Sequence, residues 1–383
     1  MHEAGKRIDV TLLVDRLKTA GDYEAIGGAA YLAECGSSVA TAANATYYAK
    51  ILHDKATLRN LIEASTDILR DAYDQSIEPR ELLAQAESRV FGILEQKGGV
   101  NIASISQVLH DAMDRIDARM RDDQVLGGVE SGLTELDNLL GGMHNSELLI
   151  LAARPSMGKT ALALNIAEHA SLSTNVSTLF VSLEMSSLEL ADRMLCSAAR
   201  VDSQRLRNGT LSQEERHKLV EKAGQLSQAP LFIDDSPSRT MTEIAATARR
   251  LKRKDNLGLI LIDYLQLIEP EDSNAPRQEQ VARIARRLKG MARELDVPVV
   301  CLAQLNRQAE ATKDNRPRLS HLRESGAIEQ DADVVMFVHR EEYYRNTEEE
   351  KAEVAGQAEI IVSKQRNGPI GDIKATWLHK FTR

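Results

Sequence analysis

Between Leu148 and Ala167 the chain reads LLILAARPSMGKTALALNIA, and few stretches limit a fold as tightly. An apolar run suited to a buried strand passes into a tight loop, and a helix opens on Gly158-Lys159-Thr160. That order is the P-loop pattern, whose loop amides and helix N-terminus offer donors and partial positive charge to a polyphosphate. Lys159 is then set to reach the β- and γ-phosphates, and the Thr160 hydroxyl to sit on Mg²⁺. The segment Ala153-Arg154-Pro155-Ser156-Met157-Gly158-Lys159-Thr160 departs from the usual pattern at its first position, where Ala153 stands in place of glycine. Alanine fits there if its φ stays negative. The pattern implies a nucleoside triphosphate site.

At 383 residues the chain has room for two domains, one with a substantial core. A hydrophobic share of 43% and a charged share of 27% suit a soluble globular protein. No apolar run approaches a membrane span, and Met1–Lys18 alternates charged with apolar residues, unlike a signal peptide. Cys35, Cys196 and Cys301 are isolated, so neither a disulfide framework nor a zinc site is indicated, and a cytoplasmic setting is expected. The net charge of −9 argues against coating nucleic acid over the whole surface, but leaves room for a local basic channel.

Three regions follow one another. Residues 1–98 read as a helical domain. Asp9 is placed to cap a helix carrying Val10, Leu13, Val14 and Leu17 that stops at Gly21, and a second helix runs from Ala29 to Gly36. A longer helix carries Tyr48, Ile51, Leu52, Leu58, Leu61, Ile62, Ile68 and Leu69. Its apolar stripe exceeds what it can bury alone, which suggests a partner chain. Residues 99–124 hold a linker helix with Ile102, Ile105, Leu109, Met113, Ile116 and Met120 in one narrow seam. Packing on its own domain and docking on a neighbour are both open.

Residues 125–383 alternate short apolar strands with helices, the mark of an α/β domain with a largely parallel sheet covered on both faces. Capping boxes are expected at Ser186/Glu189, Ser212/Glu215 and Thr240/Glu243. Ala358–Ser363 and Ile370–Trp377 flank Asn367-Gly368-Pro369 as an antiparallel hairpin.

A P-loop alone does not name a reaction. Leu259–Ile262 ends in Asp263, a Walker B strand whose carboxylate would hold Mg²⁺ beside the P-loop. Glu184 follows the strand Thr178–Leu183 at the same sheet edge, where a carboxylate can polarise the attacking water; spacing alone leaves a plain surface role equally open. Gln304 follows Val297–Leu302, where a neutral amide can sense the γ-phosphate. From Gln304 to Ser325 the chain is polar and carries Arg307, Lys313, Arg316, Arg318 and Arg323, which suit either a phosphate backbone or a solvated loop. Lys364 and Arg366 alternate on one face at the hairpin tip, as a salt-bridged edge or as a finger for a neighbour's nucleotide. A finger given in trans is worth roughly 10³–10⁵ in rate.

These segments, with Ser182-Leu183-Glu184-Met185, Ile262-Asp263-Tyr264-Leu265-Gln266, Gln304-Leu305-Asn306-Arg307, Arg323–Asp333 and Lys364–Pro369, closely resemble the motifs of the bacterial replicative helicases of the DnaB family. The resemblance extends to Gly27–Glu34 and Ala86–Phe91. It implies a RecA-like, ATP-driven motor, a helical collar and a linker helix, assembled as a homohexamer that moves 5′ to 3′ on single-stranded DNA. It also implies that Glu184 is the catalytic base, Gln304 the γ-phosphate sensor, and Lys364 with Arg366 the trans-acting pair. Arg323, Glu324 and Gly326 would grip the DNA backbone, and primase and a helicase loader are the expected partners. The family's collar opens upstream of the residue equivalent to Met1, so an incomplete collar is expected. A RecA-type repair ATPase shares the core motifs, and a DNA-dependent ATPase that does not unwind is the other alternative; the Arg323–Asp333 and Lys364–Pro369 segments weigh against the first.

Overall fold

The computed structural model describes residues 10–38, 45–73, 127–270, 275–306, 315–322, 326–345 and 347–383, with short helical pieces between 82 and 113. The chain divides into two compact units, 1–111 and 112–383, a boundary that falls inside the stretch read as a linker.

In the first unit, helices span Val10–Ala20, Gly28–Ser38 and Ala45–Tyr73. The first stops at Gly21, whose φ of 81° is the left-handed conformation that ends a helix cheaply only at glycine; Asp9, its expected cap, lies outside the described residues. The long helix leaves Leu52 and Ile62 about two-thirds exposed, at 67% and 66%. Leu58 and Leu69 are exposed as well, so among the described residues part of this helix's apolar stripe is left open. In the linker seam Ile105, Leu109 and Met113 are helical and exposed, while Ile102, Ile116 and Met120 lie outside the described residues.

The second unit is an eight-stranded sheet in the order β3-β2-β4-β5-β1-β6-β7-β8. Its strands are β1 (Leu148–Ala153), β2 (Thr178–Ser182), β3 (Leu231–Asp234), β4 (Leu259–Asp263), β5 (Val299–Gln304), β6 (Val334–His339), β7 (Gln357–Gln365) and β8 (Gly371–Thr376). The first six run parallel, and β7 and β8 close one side antiparallel. Strand alternation explains why β1 is apolar throughout. Leu148, Ile150 and Ala152 enter one core layer, while Leu149, Leu151 and Ala153 enter the other. Helix Arg277–Leu295 covers the first layer with Val281, Ile284, Leu288 and Met291; helix Lys159–Leu172 covers the second with Ala163, Leu164, Ile166 and Ala167. Fully burying one such Leu, Ile or Met contributes about 1.5–3 kcal/mol.

All three expected capping boxes form, at Ser186/Glu189, Ser212/Glu215 and Thr240/Glu243. Strand β5 starts and ends two residues later than the apolar run predicts, which makes Gln304 its last residue instead of a position past its end. Pro298 explains the late start, because it has no N–H to give a ladder. Among the described residues, no helix is long and apolar enough to cross a membrane.

Candidate nucleotide site

The carboxyl ends of β1, β2, β4 and β5 meet at one edge of the sheet, where open α/β sheets bind ligands. A cavity of about 410 Å³ opens there. The P-loop supplies Ala153, Arg154, Pro155, Ser156, Gly158, Lys159 and Thr160 to its wall, and Glu184 and Gln304 join them from the ends of β2 and β5. Ala153 is the last residue of a regular strand and is not among the residues with positive φ, so alanine is accommodated as anticipated. Gly158 has a φ of 98°, and a Cβ there would lie 2.8 Å from the Trp377 ring, so a side chain is excluded twice. Met157 differs from its neighbours: its side chain is buried in the core.

Asp263, 1% exposed, organises the floor. It accepts a hydrogen bond from Thr160 Oγ1 at 2.6 Å, and its Oδ1 faces Lys159 Nζ at 3.3 Å. That contact is an ion pair rather than a hydrogen bond, and Oδ1 is otherwise buried without a partner. Lys159 Nζ also lies 4.4 Å from the centre of the Tyr264 ring. Burial raises the Tyr264 pKa, with Glu184 and Asp263 adding to the effect, so the phenol stays neutral beside the ammonium. Glu184 itself lines the cavity and is exposed.

Motif reading did not single out several residues of this site. Tyr264, Arg193 and Trp377 line the cavity, and Arg340 crosses behind the loop. Arg340 donates to the Ser156 carbonyl at 3.4 Å, and its guanidinium lies 4.8 Å from the Trp377 ring centre. Trp377 carried a sequence signal, being the single tryptophan of the chain, but nothing local ties β8 to the P-loop.

Lys364 and Arg366 are elsewhere. Lys364 pairs with Val335 near the start of β6, and Arg366 follows it past the end of β7. Asp333, just before β6, accepts from Leu148 N at the first residue of β1. The two cations therefore sit at the amino end of β1, while the P-loop leaves its carboxyl end, roughly 20 Å away for six residues at about 3.3 Å each. Lys364 Nζ donates to the carbonyls of Glu329, Gln330 and Ala332, the end of helix Gly326–Asp331. Burial, and then the charge of Arg366, lower its pKa. Arg366, 51% exposed, contacts Asp333 Oδ1 at 3.3 Å and the Gln330 carbonyl at 3.1 Å.

Of the residues read as gripping DNA, Gly326 begins the helix whose far end Lys364 holds; Arg323 and Glu324 lie outside the described residues, as do Arg307 and Lys313. Arg316 is already paired, to Glu359 at 2.9 Å and Asp372 at 2.6 Å, which fits a structural cation better than a backbone contact.

A family model described as the DnaB-like helicase C terminal domain matches residues 128–383, two-thirds of the chain and the whole sheet. The chain belongs to the DnaB-like helicase family. The DnaB-like helicase N terminal domain model matches residues 1–54. The replicative DNA helicase DnaB of Geobacillus stearothermophilus is 41% identical over 382 residues, covering 100% of this chain and 83% of that protein. The replicative DNA helicase DnaC of Bacillus subtilis (strain 168) is 41% identical over 384 residues, covering 100% and 84%. Among solved structures, a DnaB-like replicative helicase described with its interactions with primase matches with a TM-score of 0.76 at 31% identity, covering 100% of this chain and 88% of that one. The RecA-like core expected from the motifs is thus the fold of the DnaB-like unit.

Proposed function

We infer that this DnaB-like chain is a replicative DNA helicase that couples ATP hydrolysis to 5′-to-3′ movement on single-stranded DNA as a homohexameric ring. One observation supports the reading: the phosphate cradle and the Lys364–Arg366 pair lie at opposite ends of β1, so the pair is out of reach of its own chain's cradle, and a finger role for it calls for another protomer's nucleotide. Residues 125–383 form the motor, 99–124 the linker and 1–98 the collar.

In this reading the P-loop amides and Lys159 hold the β- and γ-phosphates. Thr160 and Asp263 fit Mg²⁺, since a buried carboxylate oxygen without a hydrogen bond stands beside a hydroxyl. Bound there, the ion neutralises charge that builds on the phosphate oxygens. Glu184 takes the proton of the attacking water. Gln304 hydrogen-bonds the γ-phosphate and reports its loss. Arg366 of one protomer reaches the neighbour's γ-phosphate, and Lys364 joins it on leaving the helix carbonyls. Arg323, Glu324 and Gly326 contact the DNA backbone, which carries no sequence code and suits a motor that must pass any base. Primase and a loader are the expected partners, in the cytoplasm.

A forked duplex with a 5′ single-stranded arm tests the reading. ATP with Mg²⁺ is expected to release the displaced strand, and the Lys159→Ala chain to release none. DNA-dependent hydrolysis without strand release would leave a DNA-stimulated ATPase in place of a helicase.

A further inference from the structure

Strands β4 and β5 pair only as far as Ile262 and Cys301. Beyond that point β4 turns into the short 3₁₀ segment Leu265–Leu267, while β5 runs on to Gln304. On the β4 side the last residues of β5 have therefore lost their ladder partner. The side chain of Gln266 takes that place. Its Oε1 accepts from Gln304 N at 3.2 Å, and its Nε2 donates to Gln304 O at 3.2 Å. A primary amide offers donor and acceptor side by side, so it can pair with both main-chain groups of one residue as a strand would. Its own carbonyl is anchored by Arg277, at the start of helix Arg277–Leu295.

The next two residues of this segment are held from other directions. Arg154 of the P-loop donates to Leu305 O at 2.9 Å, Leu305 N donates to Ala153 O at 3.1 Å, and Asn306 N donates to His321 O at 3.3 Å. Residues 304–306 thus join the phosphate loop, the Walker B turn and the segment that leads to residues 323–326. Loss of the Gln266 clamp leaves Gln304 held from the β1 side alone, at the point where its side chain is read as meeting a phosphate. A small misplacement of a reacting contact costs rate far more than affinity.

We propose that Gln266 is a positioning residue whose side-chain amide replaces the missing strand beside Gln304 and so sets the geometry that couples ATP hydrolysis to DNA. The proposal rests on the reading of Gln304 as γ-phosphate sensor. The test uses the full chain with ATP, Mg²⁺ and a single-stranded oligonucleotide. Gln266→Met keeps the volume and removes both hydrogen bonds. Its DNA-stimulated kcat is expected to fall about tenfold or more, the scale on which misplacing a reacting contact by a fraction of an ångström to about 1 Å slows a reaction. Its KM for ATP stays within about twofold, the split that marks a transition-state effect. Gln266→Glu, which turns a carboxylate toward the Gln304 carbonyl, is expected to be slower still. In a Gln304→Ala background, Gln266→Met is expected to cost nothing further, since the two act through one contact.

Wild-type turnover in Gln266→Met overturns the proposal. So does an equal loss of ATP affinity and thermal stability, which would make Gln266 a general brace, and so does additive loss in the double variant. Wild-type turnover in Gln304→Ala would instead remove the sensor reading itself, so the two failures are distinguishable.

Discussion

Asp263 shows how much chemistry a single buried carboxylate can gather. It sits at the end of an apolar strand, pairs with Lys159 and Thr160, and keeps one oxygen without a hydrogen bond. Removing Lys159 leaves that charge uncompensated and, in the proposed reading, takes away the cation for the phosphates. Lys159→Ala is therefore expected to abolish ATP turnover, measured by phosphate release; normal turnover would refute the P-loop assignment. Gly158→Ala forces a left-handed alanine against Trp377. Nucleotide affinity is expected to fall about 5- to 150-fold, since strain of roughly 1–3 kcal/mol enters at the loop itself. Because Trp377 is the single tryptophan, its fluorescence reports the displacement directly. The thiols follow burial. Burial, with smaller contributions from Asp192 and Asp202, pushes Cys196 up to about 11, and burial raises Cys301 further, whereas Cys35 is exposed. At pH 8 about one Cys196 in a thousand is thiolate, and the fraction rises about tenfold per pH unit until the pH reaches its pKa. One fast thiol per native chain is expected in a thiol-reagent titration, and two or more would contradict the burial.

At the scale of elements, the sequence disclosed what is local and hid what is assembled. The P-loop, the Walker B strand, three capping boxes and the parallel sheet were all legible, because each depends on spacing within about twenty residues or on strand alternation. Spacing leaves Glu184 open, and the pairing of β2 with β4 brings it to the cavity. Trp377 and Arg340 were invisible as site residues, because only the return of β8 and the end of β6 set them against the P-loop. The contacts of Lys364 within its own chain were hidden for the same reason. Its helix partner, Gly326–Asp331, is joined to it only through β6 and β7. Asp333 is the joint of this assembly: buried, it accepts from Leu148 N at 2.8 Å and pairs with Lys289 at 2.6 Å as well as with Arg366. Asp333→Ala strands a partly buried ammonium and a buried N–H, and is expected to cost about 3–5 kcal/mol in chemical denaturation. A loss under about 1 kcal/mol, within the range of a surface pair, would show that Asp333 is not the joint.

Across the whole molecule, the first unit holds a long helix with a partly uncovered apolar stripe, and the second holds a cradle and a cation pair at opposite ends of β1. In the proposed reading a second chain completes each. Replacing both Leu52 and Ile62 by serine is expected to shift native mass toward smaller species while basal nucleotide binding persists; unchanged mass would free that stripe from any role in assembly. The proposed sharing of one catalytic site between protomers makes the sharper demand. Lys159→Ala and Arg366→Ala chains are each expected to be inactive in DNA-stimulated hydrolysis. When the two are unfolded together and refolded into mixed assemblies, some interfaces join the intact P-loop of one chain to the intact Arg366 of the other. The account predicts that the mixture recovers DNA-stimulated ATP hydrolysis that neither variant shows alone. A mixture as inactive as its parts, with mixed assembly verified by mass, would contradict it.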